Sequence, residues 1–320
     1  MNRTTAGEAP LRHVVGRACA SLLLLCLDLC AYPAFSLKLW TADDGLPQNI
    51  IRGVRQTQDG YLWLATLNGL VRFDGVHFTI FDKMSTLGLL SGRVTSLYVD
   101  GRGELWAATD GGGVVRYRQG RFATYTTQHG LPVLSVRAVT GDGEGRVWVL
   151  CAGVILAWDE NAGRFVDVTP AGAGIRYDSL LWAQDGFWGV DHGEVRCFSA
   201  GVMVSYRAPQ WIDAASIRDA ARDRDGALWV EDVNGAQARI TVSGAASRVS
   251  TVAYQDRKGR AWSFGVGPRL VRYLELPQHG RNERIPFSVL SEDREGNLWL
   301  GAEGQGLYQL RPRLITAYST

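Results

Sequence analysis

Five histidines, His13, His77, His129, His192 and His279, and five cysteines are the side chains best suited to bind a metal or to act as a nucleophile or base. No histidine stands four residues from another, as a helical metal pair requires, and no Cys-x-x-Cys occurs. The Gly-x-Ser-x-Gly turn that exposes a serine nucleophile is missing too. "GDGEG" (141–145) and "DRDG" (223–226) have the composition of calcium loops. They lack the length and the closing bidentate Glu, and read as hairpin turns. No catalytic residue, metal ligand or cofactor is therefore assigned. Cys19, Cys26 and Cys30 fall in an N-terminal leader, which leaves Cys151 and Cys197. An oxidising compartment would allow these two to pair; two separate, small, buried strand residues is the preferred reading.

Polar chemistry in this chain depends on a repeat. Trp63, Trp106, Trp148, Trp188, Trp229, Trp262 and Trp299 recur at gaps of 43, 42, 40, 41, 33 and 37 residues. Gly60, Gly103, Gly145, Gly226, Gly259 and Gly296 stand three residues before six of them, and Asp100, Asp142, Asp223, Asp256 and Asp293 six residues before five. The unit around Trp188 lacks both marks. Each unit reads as a strand, a turn opened by the Asp and closed by a Gly at positive φ, a second strand such as "LWAAT", a glycine loop, a third strand and an aromatic outer strand. A four-stranded antiparallel meander of about 40 residues is the period of a β-propeller blade. The expectation is an all-β, seven-bladed propeller over 37–320, with each Trp a plate between neighbouring blades. "LKLWT" (37–41) is an outer strand without a blade of its own, and is expected to pair with the last blade beside "GLYQL" (306–310) or outside "RLITAYS" (313–319), closing the ring. The outer strands of units five and six are hard to find, so two blades should be irregular.

In such blades the second-to-third loops and the blade-to-blade links share one face. Here that face carries Asn49, Asn68, Asp110, His129, Asp191 and Asn234, with Arg52 and Arg93 just inside on first strands, near the channel. Polar groups converging on a channel mouth form a candidate ligand site.

Charge excludes one class of partner. The 34 basic and 32 acidic residues give a net charge of +2 with no basic run, so nucleic acid is not expected. Residues 1–36 form a separate segment: a region with Arg3, Arg12 and Arg17, an apolar run from Ala18 to Ala31 broken by Asp28, then small residues at Ala34 and Ser36. That is the layout of a signal peptide, with an uncleaved N-terminal anchor as the alternative. Both place the remainder in the periplasm or outside the cell, and both confine any membrane contact to this segment.

The units resemble the two-component regulator propeller repeats. Asp100, Gly103, Leu105, Trp106, Thr109, Gly113, Arg116 and Tyr117 follow that family's pattern, and Gly45-Leu46-Pro47 and Gly130-Leu131-Pro132 match its link. The resemblance spans about residues 37–320 and is weakest in units four and five. It implies a periplasmic sensor region of a hybrid histidine kinase or diguanylate cyclase, a small ligand that is carbohydrate-derived in gut-bacterial members, and output through a partner or through C-terminal domains not present in these 320 residues. A protein-interaction propeller is the alternative. The Asp-and-Trp turns are also similar to the structural Asp-box hairpins of sialidases. A propeller lyase would need a His and a metal on one face, for which His192 is the tempting residue.

Overall fold

The computed structural model describes residues 35–312 except 143–144, 170–175, 180–185, 192–193, 200, 223–225, 249–250, 258–260, 267–271, 279–280 and 303. The chain divides into two compact units, Met1–Phe35 with Pro312–Thr320, and Ser36–Arg311. The first falls almost entirely outside the described residues, and with it "RLITAYS".

The second unit is built of antiparallel sheets in chain order. After β1 (Phe35–Trp40), the first blade comprises β2 (Gly53–Gln56), β3 (Leu62–Thr66), β4 (Gly69–Phe73) and β5 (Phe78–Phe81). The second has β6 (Val94–Val99), β7 (Leu105–Thr109), β8 (Gly113–Arg118) and β9 (Arg121–Tyr125). The third has β10 (Val136–Gly141), β11 (Val147–Cys151), β12 (Val154–Asp159) and β13 (Arg164–Asp167). The fourth has β14 (Arg176–Ser179), β15 (Gly186–Asp191), β16 (Glu194–Ser199) and β17 (Val202–Arg207). The fifth has β18 (Ile217–Arg222), β19 (Leu228–Asp232), β20 (Gln237–Ile240) and the two-residue β21 (Ala246–Ser247). Then follow β22 (Thr251–Gln255), β23 (Ala261–Val266), β24 (Arg272–Gln278), β25 (Arg281–Glu292), β26 (Leu298–Ala302) and β27 (Gly306–Pro312), which with β1 make one seven-stranded sheet in the order β1-β27-β26-β25-β24-β23-β22.

The expected seven separate blades are thus corrected: the described strands form six sheets. The Trp262 and Trp299 units merge because β25 serves both. Its first half pairs with β24, from Arg272↔Phe287 to Gln278↔Arg281, and its second half pairs with β26, from Phe287↔Ala302 to Glu292↔Leu298. The gaps of 33 and 37 residues around Trp262 are the shortest in the chain and leave no room for a separate link between an outer strand and the next first strand. The orphan N-terminal strand lies beside β27, which carries "GLYQL". Trp40 stacks on Trp299 at 5.4 Å and meets Phe73 of the first blade edge-on at 5.2 Å.

Burial follows position within a blade. The second strands β3, β7, β11, β19 and β26 are buried at every residue, whereas the outer strands β5 and β9 are half exposed. Neighbouring blades therefore cover both faces of the middle strands, which explains sequences as apolar as "LWLAT". Five of the seven repeat tryptophans bridge blades. Trp63 packs with Leu97 and Leu105, Trp106 with Val139 and Val149, and Trp148 with Phe187 and Phe198. Trp188 packs with Ala220 and Val230, and Trp299 with Val54 and Leu64, so the last sheet packs against the first blade. The side chain of Trp262 lies outside the described residues.

Three of the tryptophans, Trp63, Trp106 and Trp299, are held by their turns. Asp100 accepts from Trp106 Nε1 at 3.0 Å and from the backbone N–H groups of Arg102 and Glu104, both at 2.9 Å. Asp293 takes Trp299 Nε1 at 2.7 Å and Asn297 N at 2.8 Å. The first blade has no Asp at this place, yet Thr57 Oγ1 accepts from Trp63 Nε1 at 3.0 Å. Cys151 and Cys197 are both buried, and the two strand cysteines do not form a disulfide. Burial pushes the Cys151 thiol up from its ordinary value, partly offset by its bond to the Val133 carbonyl.

Candidate functional site

The links form one wall of the expected ligand face. Thr41 begins a single helical turn: its N–H donates to Asp44 Oδ2 at 2.8 Å, and Gly45 closes the turn at φ 96°. The link before the third blade repeats this with His129 in the place of Asp44. His129 Nδ1 accepts from Thr126 N at 3.1 Å, and Gly130 has φ 89°. Asp82 holds the intervening link by accepting from Met84 N and Ser85 N at 2.8 and 2.7 Å, ahead of Gly88 at φ 89°. The residue after each glycine is a buried plug: Leu46, Leu89 and Leu131 join the clusters of Trp299, Trp63 and Trp106. Ile212 does the same beside Trp188. Gly88-Leu89-Leu90 is thus a third copy of the link, in which Leu90 replaces the proline. The signal for it is a Leu or Ile seventeen residues before the Trp, at positions 46, 89, 131 and 212.

The loops lock onto these links. The first residue of a third strand donates its N–H to a link carbonyl: Gly69 to Gly92 at 2.8 Å, Gly113 to Leu134 at 2.7 Å, Gly306 to Asn49 at 3.0 Å. A Cβ on Gly113, at φ 79°, would come within 2.1 Å of the Tyr125 carbonyl, so only glycine fits there.

On this frame the structure joins two of the eight sequence-derived residues. Arg93 Nε donates to Asp110 Oδ2 at 3.0 Å, and Asp110 N donates to Arg93 O at 2.8 Å. Two serines that sequence reasoning missed complete the group. Ser135 Oγ donates to Asp110 Oδ1 at 2.7 Å, and Ser91 Oγ to the Asp110 carbonyl at 2.8 Å. The Ser135 hydroxyl, then the Arg93 guanidinium, hold the Asp110 carboxyl below the usual carboxylate range. The cluster is solvent-open, with the side chains of Arg93 and Asp110 57% and 41% exposed.

The other residues divide by task. Asn49 and His129 serve their own links, since Asn49 Oδ1 accepts from Ala42 N at 2.8 Å. Arg52 and Asn68 are exposed at the link end of the first blade, where Arg52 N donates to Ala65 O and Asn68 N to Thr66 Oγ1. Asn234 is exposed in the β19–β20 turn, its N–H donating to Asp232 Oδ1 at 2.9 Å. Asp191 ends β15, but its side chain, like all of His192, lies outside the described residues.

The opposite end of the blades is charged but committed. Arg116 bridges Glu104 and Glu160, Arg118 also reaches Glu104, and the Arg116 guanidinium lies over the Trp106 ring. Burial works against the Arg116 charge, yet hydrogen bonds with Tyr125 and Glu104 and the nearby carboxylates raise its pKa overall. At the "GDGEG" stretch, of which residues 143–144 lie outside the described residues, Asp142 accepts from Arg146 N at 3.2 Å. Among the described residues no group of three or more His, Cys, Asp or Glu side chains could hold a metal ion. No described helix is long and apolar enough to cross a membrane.

Residues 45–68 and 88–111 match the family model described as "Two component regulator propeller". No curated protein matches the sequence. Among solved structures, the extracellular domain of a putative hybrid two-component system from B. thetaiotaomicron is similar at 17% identity and TM-score 0.63, over 88% of this chain and 42% of that one. A second such domain from the same organism gives 17% identity and TM-score 0.59, over 89% and 44%. The chain therefore spans less than half of either domain. Virginiamycin B lyase from Staphylococcus aureus gives 15% identity and TM-score 0.58, over 87% of this chain and 99% of the lyase. At these identities the likeness is one of fold.

Proposed function

From a chain that carries two-component regulator propeller repeats, we propose an exported ligand-sensing module of a two-component or related transmembrane signalling system. Its ligand is a small, saccharide-derived molecule bound on the link-side face. The observation that carries this reading is the Arg93–Asp110–Ser135 cluster. It is assembled from one link, one loop and the next link, it is open to solvent, and it takes no part in the apolar clusters that hold the blades together. Fixed polar groups on a rigid rim are what small-molecule recognition needs.

The signalling output lies in a partner or in further domains, and no chemistry is assigned to the propeller. The protein-interaction alternative rests on the 82–90 link, where Met84 and Leu87 are 92% and 98% exposed.

Two measurements test the proposal. Expressed with residues 1–36, the protein should fractionate outside the cytoplasm; a soluble cytoplasmic product contradicts export. In a thermal-shift screen against mono- and oligosaccharides, a true ligand at a hundred times its Kd stabilises the fold by about 2.7 kcal/mol. A panel that leaves the melting temperature unmoved, with a rim partner captured through Met84 and Leu87, supports the interaction reading instead.

A further inference from the structure

In the first two blades the third strand carries an arginine directly opposite the tryptophan: Arg72 across from Trp63, and Arg116 across from Trp106. The two arginines hold the same place in different surroundings. Arg116 is met by Glu104 of its own blade and by Glu160 of the next, and a hydrogen bond with Tyr125 further favours its charge. Register identifies the counterparts around Arg72. Glu104 stands two residues before its tryptophan, where the first blade has Tyr61. Tyr125 lies across from Val114 as Phe81 lies across from Leu70. Glu160 follows Trp158 by two residues as Gln119 follows Tyr117, and Trp158 and Tyr117 pair alike with Phe165 and Phe122. The two carboxylates thus become a tyrosine and an amide, and the phenol becomes a phenylalanine.

Arg72 is left with rings. Its guanidinium lies 4.5 Å from the Tyr61 ring centre and 5.7 Å from that of Phe81. Its Nε is buried without a hydrogen-bond partner, and it forms no ion pair among the described residues. A ring attracts the cation through its face and accepts none of the five N–H groups as a carboxylate would. The place is also close to an open edge. Across from Arg72 on β5 stands Thr79, short and exposed, and beyond β5 the blade has no further described strand. Thr79 faces the Arg72 side of the sheet and the exposed Ile80 faces the other. A strand added to β5 would lie two strand spacings from β4, about 10 Å, which an arginine and a glutamate span together over a threonine.

We propose that the outer edge of the first blade docks an extended segment of a partner protein in which acidic and apolar residues alternate. The segment adds a strand to β5. One of its carboxylates takes Arg72 as Glu104 and Glu160 take Arg116, and its apolar residues cover Ile80. Charge complementarity selects this occupant: the Arg116 site shows, with residues of the same chain, which group satisfies an arginine at this place, and a neutral strand does not supply it. Arg72 and Thr79 lie toward the hairpin-turn end of the blade, away from the links, so docking here is independent of a ligand on the link-side face.

The test follows the fluorescence anisotropy of a fluorescein-labelled hexapeptide of alternating Val and Glu added to the full chain. The matching Val and Gln peptide is the neutral control, and glutarate is a free dicarboxylate competitor. The acidic peptide should bind, more weakly as salt is added, and the neutral one at least about tenfold less tightly. Arg72→Gln should weaken the acidic peptide at least about tenfold, as expected for a lost charge-assisted contact. Tyr61→Glu puts a carboxylate where Glu104 stands beside Arg116, and by pairing with Arg72 it should weaken the peptide as much. Arg164→Gln, on the exposed outer strand β13, should bind as the parent does. Melting curves show which variants fold, and Tyr61→Glu carries the test if Arg72→Gln does not. Acidic-peptide affinity unchanged in a folded Arg72→Gln or Tyr61→Glu variant overturns the proposal, as does an acidic peptide that fails to bind at millimolar concentration. Glutarate that binds as tightly as the peptide, and loses that binding in Arg72→Gln, overturns the partner strand in favour of a small carboxylate.

Discussion

Replacing Asp100 isolates the device that fixes the repeat. Its carboxylate is almost wholly buried and receives Trp106 Nε1 at 3.0 Å with the N–H groups of Glu104 and Arg102 at 2.9 Å each. In Asp100→Ala the Arg102 N–H can turn to water, but those of Trp106 and Glu104 sit in buried residues. Leaving two buried donors without acceptors costs about 1–3 kcal/mol each, so a loss of about 2–6 kcal/mol is expected. The first blade supplies a natural control. There Thr57 replaces the Asp and still accepts from Trp63 Nε1 at 3.0 Å. Asp100→Thr should therefore keep the indole bond, lose the loop bonds, and recover about 1–2 kcal/mol relative to Asp100→Ala. Urea unfolding followed by tryptophan fluorescence reads both differences. An Asp100→Ala midpoint within about 0.5 kcal/mol of the parent, or a Thr variant no better than Ala, would refute the claim that one acceptor at this place organises each turn.

Ring closure and acid sensitivity give two more expectations. Trp40→Ala removes a buried plate stacked on Trp299 and edge-on to Phe73 and should cost about 3–5 kcal/mol in a denaturant melt. Deleting 36–41 should expose the β27 edge and promote aggregation seen by light scattering; a monomer with the parent's midpoint would show that β1 is dispensable. The Asp110 carboxyl is held below its ordinary 3.8, so its contribution to stability is present above that value and is lost as the pH falls through the folded-state pKa. Melting temperatures measured downward from about pH 5 should fall less steeply for Asp110→Asn than for the parent. Parallel curves would show that the Arg93–Asp110–Ser135 cluster is not coupled to folding.

The blade was legible because a single turn dictates residue types at fixed offsets. Gly103 and Gly296 need positive φ, at 80° and 81°, and the indole N–H needs an acceptor six residues back. Thr57 escaped the pattern because that need is for an oxygen, which a hydroxyl supplies as well as a carboxylate does. The Gly88-Leu89-Leu90 link escaped because proline marks the motif while the buried leucine performs its work. The blade count failed at β25, where one continuous strand does what an outer strand, a link and a first strand do elsewhere, and hydrophobic pattern does not reveal which partner a strand takes. Arg93 and Asp110 were readable as polar residues on one face. Ser135 was not, because it lies 25 residues beyond Asp110 and meets it only through the packing of a link on a loop.

Hydrogen–deuterium exchange on the full chain, with and without a saccharide that raises its melting temperature, tests the central claim most directly. Ligand bound on the link-side face should slow exchange in peptides covering 49–53, 91–95, 110–113 and 133–138, and leave the outer strands β5 and β9 unchanged. Protection confined to β5, β9 or the Glu104–Arg116 end of the blades would contradict a sensor that reads its ligand through the links.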